Sequence, residues 1–359
     1  MCTVIALLAF IIIYKFAMIN GMNDLFEKLL ILRTPKIGPA RYNDLVARFG
    51  GVTAAAESLQ SDSAHIDMVR REMDMAANLG IHYISDEDAR YPDALRAVKN
   101  HPPVITVRGN LDALSRPMVS MVGTRHATAA GMGFIANLAA EFVMHGYAVV
   151  SGMAMGCDTA AHRGALRGGG CTVAVLAGGV DYIWPLENES LYYEILEQGC
   201  VISEMPVGFK PIATNFVQRN RIVAGLAGTL ILGEADMKSG SMTTARFAIE
   251  YGRRVYAIPS HPSDPRGLGP NSLIKSGDAI LCSGVGDFFA QDKKQIDKTT
   301  NEKKSDSENS LIDALGTIPA SETVLAMVVK KSISEIKSEL VVLELQGLVR
   351  KVDGGYVRA

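Results

Sequence analysis

The sequence predicts a doubly wound α/β domain on a parallel sheet, set between a small helical domain and a C-terminal winged helix. Seven short apolar runs carry the sheet: 118–122, 148–150, 172–176, 201–203, 229–232, 255–258 and 279–281. Helical patterns separate most of them, near 128–145, 158–167, 188–198, 219–227 and 242–252. Near-continuous apolar strands joined by helices imply a parallel sheet covered on both faces. Beyond residue 310, helical stretches at 311–315, 321–328 and 334–345 precede Leu348–Val352, an Asp353-Gly354-Gly355 turn and Tyr356–Arg358. Three helices and then a hairpin is the order of a winged helix.

Residues 1–21 form an apolar N-terminal extension, unbroken from Val4 to Tyr14 and interrupted at Lys15. A signal peptide carries its positive charge ahead of the apolar run and a small-residue cleavage site after it, and neither is present. A membrane span needs about 20 apolar residues, which this stretch does not reach. We read the working protein as beginning at Met22; a weak membrane anchor is the alternative.

Residues 22–80 read as a helical domain, with Leu25, Leu29 and Leu32, then Leu45, Val46 and Phe49, at helical spacing. Between these groups, Pro35-Lys36-Ile37-Gly38-Pro39-Ala40-Arg41 resembles the turn of helix-hairpin-helix modules, whose N–H groups can grip a DNA phosphate. Pro35 stands where the full motif has a second glycine, and a plain bundle turn fits equally well. Residues 81–116 are rich in turn residues (Tyr91-Pro92-Asp93, His101-Pro102-Pro103) and read as an extended lead-in to the main domain, 117–290. Residues 291–310 hold five lysines, five acids and one aliphatic residue, Ile296, the composition of a solvated linker before the winged helix at 311–359.

Composition narrows the function. The net charge of −2 gives no global basic field, so any nucleic-acid binding must come from a local patch. The five cysteines are odd in number with no CxxC pair, which points to buried reduced thiols in a cytoplasmic protein and against zinc or a disulfide framework.

Polar turns follow the strands. Gly123-Thr124-Arg125 ends the first: glycine allows close backbone approach, threonine offers a hydroxyl, and arginine can fork a phosphate. Ser151-Gly152 ends the second, and Asp158 there reads as the cap of the next helix, with His162 in a structural hydrogen bond one turn later. Arg219-Asn220-Arg221, behind Phe216, reads as a cationic turn, and Ser239-Gly240 opens another helix. Residues 214–254 hold six Lys/Arg against three acids. Gly131-Met132-Gly133-Phe134-Ile135-Ala136 spells a dinucleotide fingerprint but falls inside an expected helix, where that mechanism fails. Gly168-Gly169-Gly170 reads as a helix terminator. No nucleophile–base pair or metal cluster accompanies these groups; the pattern is one that holds phosphates.

Gly123-Thr124-Arg125, Ser151-Gly152, Gly156-Cys157-Asp158, Ala161-His162, Ala174 to Asp181, Pro185 to Asn188, Ser203 to Pro206, Arg219 to Gly225 and Ser239-Gly240-Ser241 together resemble the bacterial DNA-processing protein A (DprA/Smf) family. The resemblance covers roughly residues 24–290 and, more loosely, the tail. It implies an extended Rossmann-like sheet, an N-terminal SAM or helix-hairpin-helix-like domain, and a winged helix. It also implies a cytoplasmic homodimer, paired through the α/β domain, that binds single-stranded DNA and loads RecA recombinase in natural transformation. No cofactor, metal or enzymatic activity is expected. Carried over by motif, Arg125 contacts the DNA backbone with Gly123, Thr124, Ser151 and Gly152; Phe216 stacks or packs against a base beside Arg219, Asn220 and Arg221; Ser239 and Gly240 close the site and Lys275 extends it. Three positions depart from the family pattern: Val217, Cys157 and Ser260. The competing readings are a nucleotide-processing enzyme of the lysine-decarboxylase-like group, of whose loop Gly225 to Thr229 is a partial echo, and an NAD-dependent oxidoreductase.

The tail has a different character. From 310 to 359 it carries six basic and six acidic residues, and its recognition helix sets Glu335, Glu339 and Glu344 against Lys337 alone. Such a face repels phosphates, so a protein-interaction or regulatory role is expected.

Overall fold

The computed structural model describes residues 24–289, 311–312, 314–315, 319–352 and 354–358. The expectations for residues 1–21 and for the 291–310 linker lie outside the described residues. The chain divides into two compact units, Met1–Gln291 and Asp292–Ala359.

The first unit is built on a nine-stranded sheet, ordered β1-β2-β6-β5-β4-β3-β7-β8-β9. The strands are β1 Ile81–Ser85, β2 Val104–Gly109, β3 Met118–Val122, β4 Ala148–Ser151, β5 Thr172–Val175, β6 Cys200–Ser203, β7 Thr229–Leu232, β8 Arg254–Ala257 and β9 Ile280–Leu281. From β6 to β9 every pairing is parallel. All seven expected strands are present. The 81–116 stretch does more than lead in: β1 pairs with β2, and β2 with β6, both antiparallel, and so they extend the sheet. His82, Tyr83, Thr106 and Arg108 break the apolar runs there, which hides both strands from pattern reading. Thr106 compensates by donating its hydroxyl to Ser203 O at 3.0 Å.

Strand β3 shows why the runs are apolar on both faces. Met118 and Val122 pack with Ile222, Val223 and Leu230 on one side. Val119 and Met121 pack with Ile135, Leu138 and Phe142 on the other. Period-two alternation thus feeds two helical layers rather than one core and solvent.

The N-terminal helices (24–33, Pro39–Phe49, Val52–Ser58 and Ser63–Asn78) join this unit through Glu72. Its carboxylate accepts from Arg33 Nε and Nη2, both at 2.8 Å, from Tyr83 Oη at 3.1 Å and from Val207 N at 3.3 Å. One buried acid therefore ties the first helix, β1 and the loop after β6. Lys28, 1% exposed, lies 3.0 Å from both Asp24 and Glu87 and fastens the same helix to the loop after β1.

The second unit holds helices Glu322–Val329 and Ile333–Leu345 and an antiparallel pair, β10 Val349–Val352 and β11 Gly355–Arg358. Its core is Leu311, Leu315, Leu325, Ile336, Leu340, Leu343 and Tyr356. Ser332 and Glu335 form a reciprocal capping box at the start of the longer helix. Leu311, Ile312 and Ala314 lie in turns where a helix was expected, five residues being too few to nucleate one alone.

Candidate nucleic-acid interface

The strand order reverses at β3, with β4 on one side and β7 on the other. Loops leaving the carboxyl ends of β3 and β7 diverge there, and such a point in an open α/β sheet leaves a crevice. A cleft of about 720 Å³ occupies this place. It is lined by Gly123, Thr124, Arg125, His126, Gly152, Trp184, Phe216, Arg219, Asn220, Lys238, Ser239 and Gly240, among others.

The loop after β3 is pinned at both ends. Thr124 N donates to Glu234 O at 2.6 Å and Cys157 N to Thr124 O at 3.2 Å. Thr128 caps the helix Ala129–Met144 by accepting from Gly131 N at 2.9 Å, while its own N–H reaches the Glu234 carboxylate at 2.7 Å. Glycine is required at 123, because a Cβ there would sit 2.3 Å from Cys157 Sγ. Burial pushes the Cys157 thiol up to about 12, so it stays a neutral packing group.

Arg125 stands exposed on this loop. Its guanidinium lies 5.3 Å from the Trp184 ring centroid and 5.8 Å from that of Phe216. The two rings are 4.5 Å apart at 61°, an edge-to-face pair. Among the described residues no carboxylate is paired with Arg125, which leaves its donors available. The opposite wall is the start of the helix Gly240–Glu250, where Ser239 accepts from Ser241 N at 3.4 Å and Asn220 Nδ2 donates to Gly240 O at 3.2 Å. Lys238 stands on the same rim beside Asp236, whose carboxylate accepts from Lys238 N at 3.0 Å.

Arg219 has another role. Residues 219–221, expected as a cationic turn heading a helix near 219–227, lie inside the helix Ala213–Gly225, whose first turn is closed by Asn215 Oδ1 accepting from Ile212 N at 2.9 Å. Arg219 is 6% exposed, and its Nη1 donates to Gly152 O and, at 2.6 Å, to Val175 O. A Cβ at Gly152 would meet that Nη1 at 2.1 Å. Burial pulls the proton affinity of Arg219 down while Asp158 opposes this; burial pushes Asp158 up while Arg219 opposes that. Asp158 itself accepts from Gly152 N at 3.2 Å and Ala154 N at 3.3 Å. It is therefore not the helix cap, which is Gly156 at φ 78. Together Arg219 and Asp158 form the floor of the cleft.

Arg221 is carried elsewhere. Two residues along a helix turn the side chain through about 200°, so it leaves on nearly the opposite face from Arg219. It pairs with Glu204 and donates to Asn100 O at 3.2 Å, lining a separate cavity of about 550 Å³ with Lys36, Gly38 and Pro103. Ser151 is buried, donating to Met121 O at 2.6 Å, and it braces β4 rather than facing the cleft. Lys275 is exposed on the helix Leu268–Ser276 and is not among the lining residues. Of the expected site residues, Gly123, Thr124, Arg125, Gly152, Phe216, Arg219, Asn220, Ser239 and Gly240 come together; Ser151, Arg221 and Lys275 do not. His162 is buried, its Nδ1 2.7 Å from Thr172 Oγ1, and burial pushes it down to about 3, the structural role expected.

Trp184 and His126 were not expected at the site, and Lys238 was expected only as one of the six cations of residues 214–254. A signal for Trp184 existed: it is the chain's sole tryptophan, placed in a short proline turn beyond an apolar strand.

The family described as DNA recombination-mediator protein A matches residues 82–292. A DprA-like N-terminal HHH domain matches 23–73, and a DprA winged helix domain matches 297–355. The chain is 32% identical over 289 residues to Protein Smf of Escherichia coli, covering 77% of each chain. It is 34% identical over 221 residues to DNA processing protein DprA of Bacillus subtilis, covering 61% of this chain and 74% of that one. With Protein Smf of Synechocystis the identity is 35% over 241 residues, a match spanning 54% of that protein's length. The structure of DprA from Streptococcus pneumoniae superposes with a TM-score of 0.60 at 32% identity, over 74% of this chain and 92% of that one. The structure of DNA processing protein A from Helicobacter pylori, which describes the single-stranded DNA binding mode of that protein, gives 0.54 at 31% identity, over 60% of this chain and 97% of that one.

Proposed function

We propose, from the premise that this chain belongs to the DNA recombination-mediator protein A (DprA/Smf) family, that it binds single-stranded DNA in the cleft between β3 and β7. The observation that carries this reading is Arg125 held over the Trp184–Phe216 ring pair. A cation beside exposed aromatic surface is the general means of holding a single strand: the arginine takes a phosphate and the rings take a base, each stacked base worth about 1–3 kcal/mol. The binding groups are Gly123, Thr124, Arg125, Phe216, Ser239 and Gly240, joined by Trp184 and Lys238. Gly152, Arg219 and Asn220 hold the floor and far wall in place.

On the family premise we extend the proposal to a non-enzymatic cytoplasmic homodimer, paired through the α/β unit, that protects incoming strands and loads RecA recombinase in natural transformation. No described helix is long and apolar enough to cross a membrane. RecA-dependent ATP hydrolysis on strands already coated with a single-strand-binding protein tests the loading step; it should rise when this protein is added.

Binding itself has an internal probe, because Trp184 is the sole tryptophan. Titration with oligo-dT should change its fluorescence saturably and in parallel with binding of a labelled oligonucleotide. Binding with no change in tryptophan emission would move the site away from this cleft.

A further inference from the structure

We propose that the outward face of the helix Ile333–Leu345 docks against the same helix of a second copy of this chain, antiparallel. In a winged helix this face would enter a DNA groove. Here its core side is Ile336, Leu340 and Leu343, so the opposite stripe is Ser334, Ser338, Val341 and Leu345 at i, i+4, i+7 and i+11. Leu345 is 84% exposed and Val341 55%. No cation lies on the stripe itself, and its flanks carry Glu335 on one side and Lys337 with Glu344 on the other, with no net positive charge to draw a phosphate.

The pattern is complementary to itself. Turned antiparallel about a point between Ser338 and Val341, the large Leu345 of one copy meets the small Ser334 of the other, and Val341 meets Ser338. The Ser338 hydroxyl already donates to Ser334 O at 3.1 Å, so it can be covered without losing its partner. On the flank, Lys337 comes to face Glu344 of the opposite copy, twice over, as flanking charges do beside paired helices. Its present partner, Glu322, lies 3.4 Å away in a partly exposed pair, worth little and readily exchanged. With six basic and six acidic residues over 310–359, no net field opposes self-approach. One pair of short helix faces covers less than the roughly 800 Å² per partner of a standard interface, so the pairing is weak and needs high concentration.

Directed disulfide formation in the full chain, carrying C2S, tests this; the four described cysteines are all buried. Ser334 and Leu345 are about 16 Å apart along the helix, beyond disulfide reach. Mixing S334C with L345C protein should therefore give a cross-linked heterodimer several-fold in excess of either homodimer. A second pair, S338C mixed with V341C, should also cross-link without altering Leu345; these positions are only about 4.5 Å apart along the helix, so its readout is cross-link formation and not heterodimer excess. Adding K337E to both partners should cut the yield, and adding E344K as well should restore it. Homodimers as abundant as heterodimers from the S334C and L345C mixture, no cross-link from either pair, or no rescue by the charge swap would overturn the proposal. So would protection of these cysteines from maleimide by a single-stranded oligonucleotide, which would assign the face to nucleic acid.

Discussion

Arg125 and Trp184 come from loops after different strands, β3 and β5, yet the guanidinium lies 5.3 Å from the indole centroid. Neither loop alone could make a strand-binding site. The arginine supplies charge and the indole a flat apolar surface, and the two should separate by their response to salt. Arg125→Ala should weaken oligo-dT binding and reduce the salt slope by about 0.7, the share of one phosphate contact on a single strand. Trp184→Ala should cost about 1–3 kcal/mol in affinity with the slope unchanged. Equal slopes for wild type and Arg125→Ala would remove Arg125 from the phosphate path.

Arg219→Ala is expected to act through the fold. Its guanidinium holds Gly152 O and Val175 O, and its loss leaves the buried Asp158 without a facing charge. Removing one partner of a buried charge arrangement typically costs about 3–5 kcal/mol, so the urea midpoint should fall sharply. The salt slope of the DNA that the folded fraction still binds should not change. A variant as stable as wild type, with a reduced slope, would return Arg219 to the phosphate path.

Arg221→Ala tests the other arm of the Arg-Asn-Arg motif. Its guanidinium is engaged by Glu204 and Asn100 in a different cavity. Single-strand affinity should stay within a few-fold of wild type, while stability drops because Glu204 is left buried without its partner. Loss of affinity as large as that of Arg125→Ala, in a stable variant, would bring the second cavity into the DNA path.

His162 makes the fold sensitive to acid. Burial depresses it to about 3 in the folded state, against about 6.5 in the unfolded chain. The unfolded state therefore binds the extra proton first, and stability is lost as pH falls from about 6.5 toward 3. At pH 5 the contribution is about 2 kcal/mol, from a 1.5-unit gap at 1.36 kcal/mol per unit. His162→Gln, which keeps a polar partner for Thr172, should flatten denaturation midpoints between pH 7 and 5. An unchanged pH profile in that variant would show that another group controls the acid limb.

Deleting everything after Ala290 should leave single-strand affinity within a few-fold of wild type, since the cleft lies wholly within the first unit. A drop as large as that of Arg125→Ala would show that the winged helix contributes to strand binding.

The sheet was legible because its signal is local. Apolar runs with helices between them announce parallel strands, and Gly123-Thr124-Arg125 at a strand end announces a ligand loop, since chain direction alone places it at the carboxyl edge. Strands β1 and β2 escaped because their polar residues are satisfied by tertiary partners, as Thr106 is by Ser203. Arg219 and Arg221 were misplaced for a related reason. The Arg-Asn-Arg string reads as a cationic turn heading a helix near 219–227, and only packing shows that it lies within the helix Ala213–Gly225, which sends one guanidinium into the floor and the other to a second cavity. Trp184 joins Arg125 and Phe216 across sequence separations of 59 and 32 residues. The sequence by itself determined the seven parallel strands, their direction and the loops that could meet a ligand. Which arginine is free and which is buried was decided only in the tertiary structure, because helix phase and the packing of neighbouring strands set where a side chain ends.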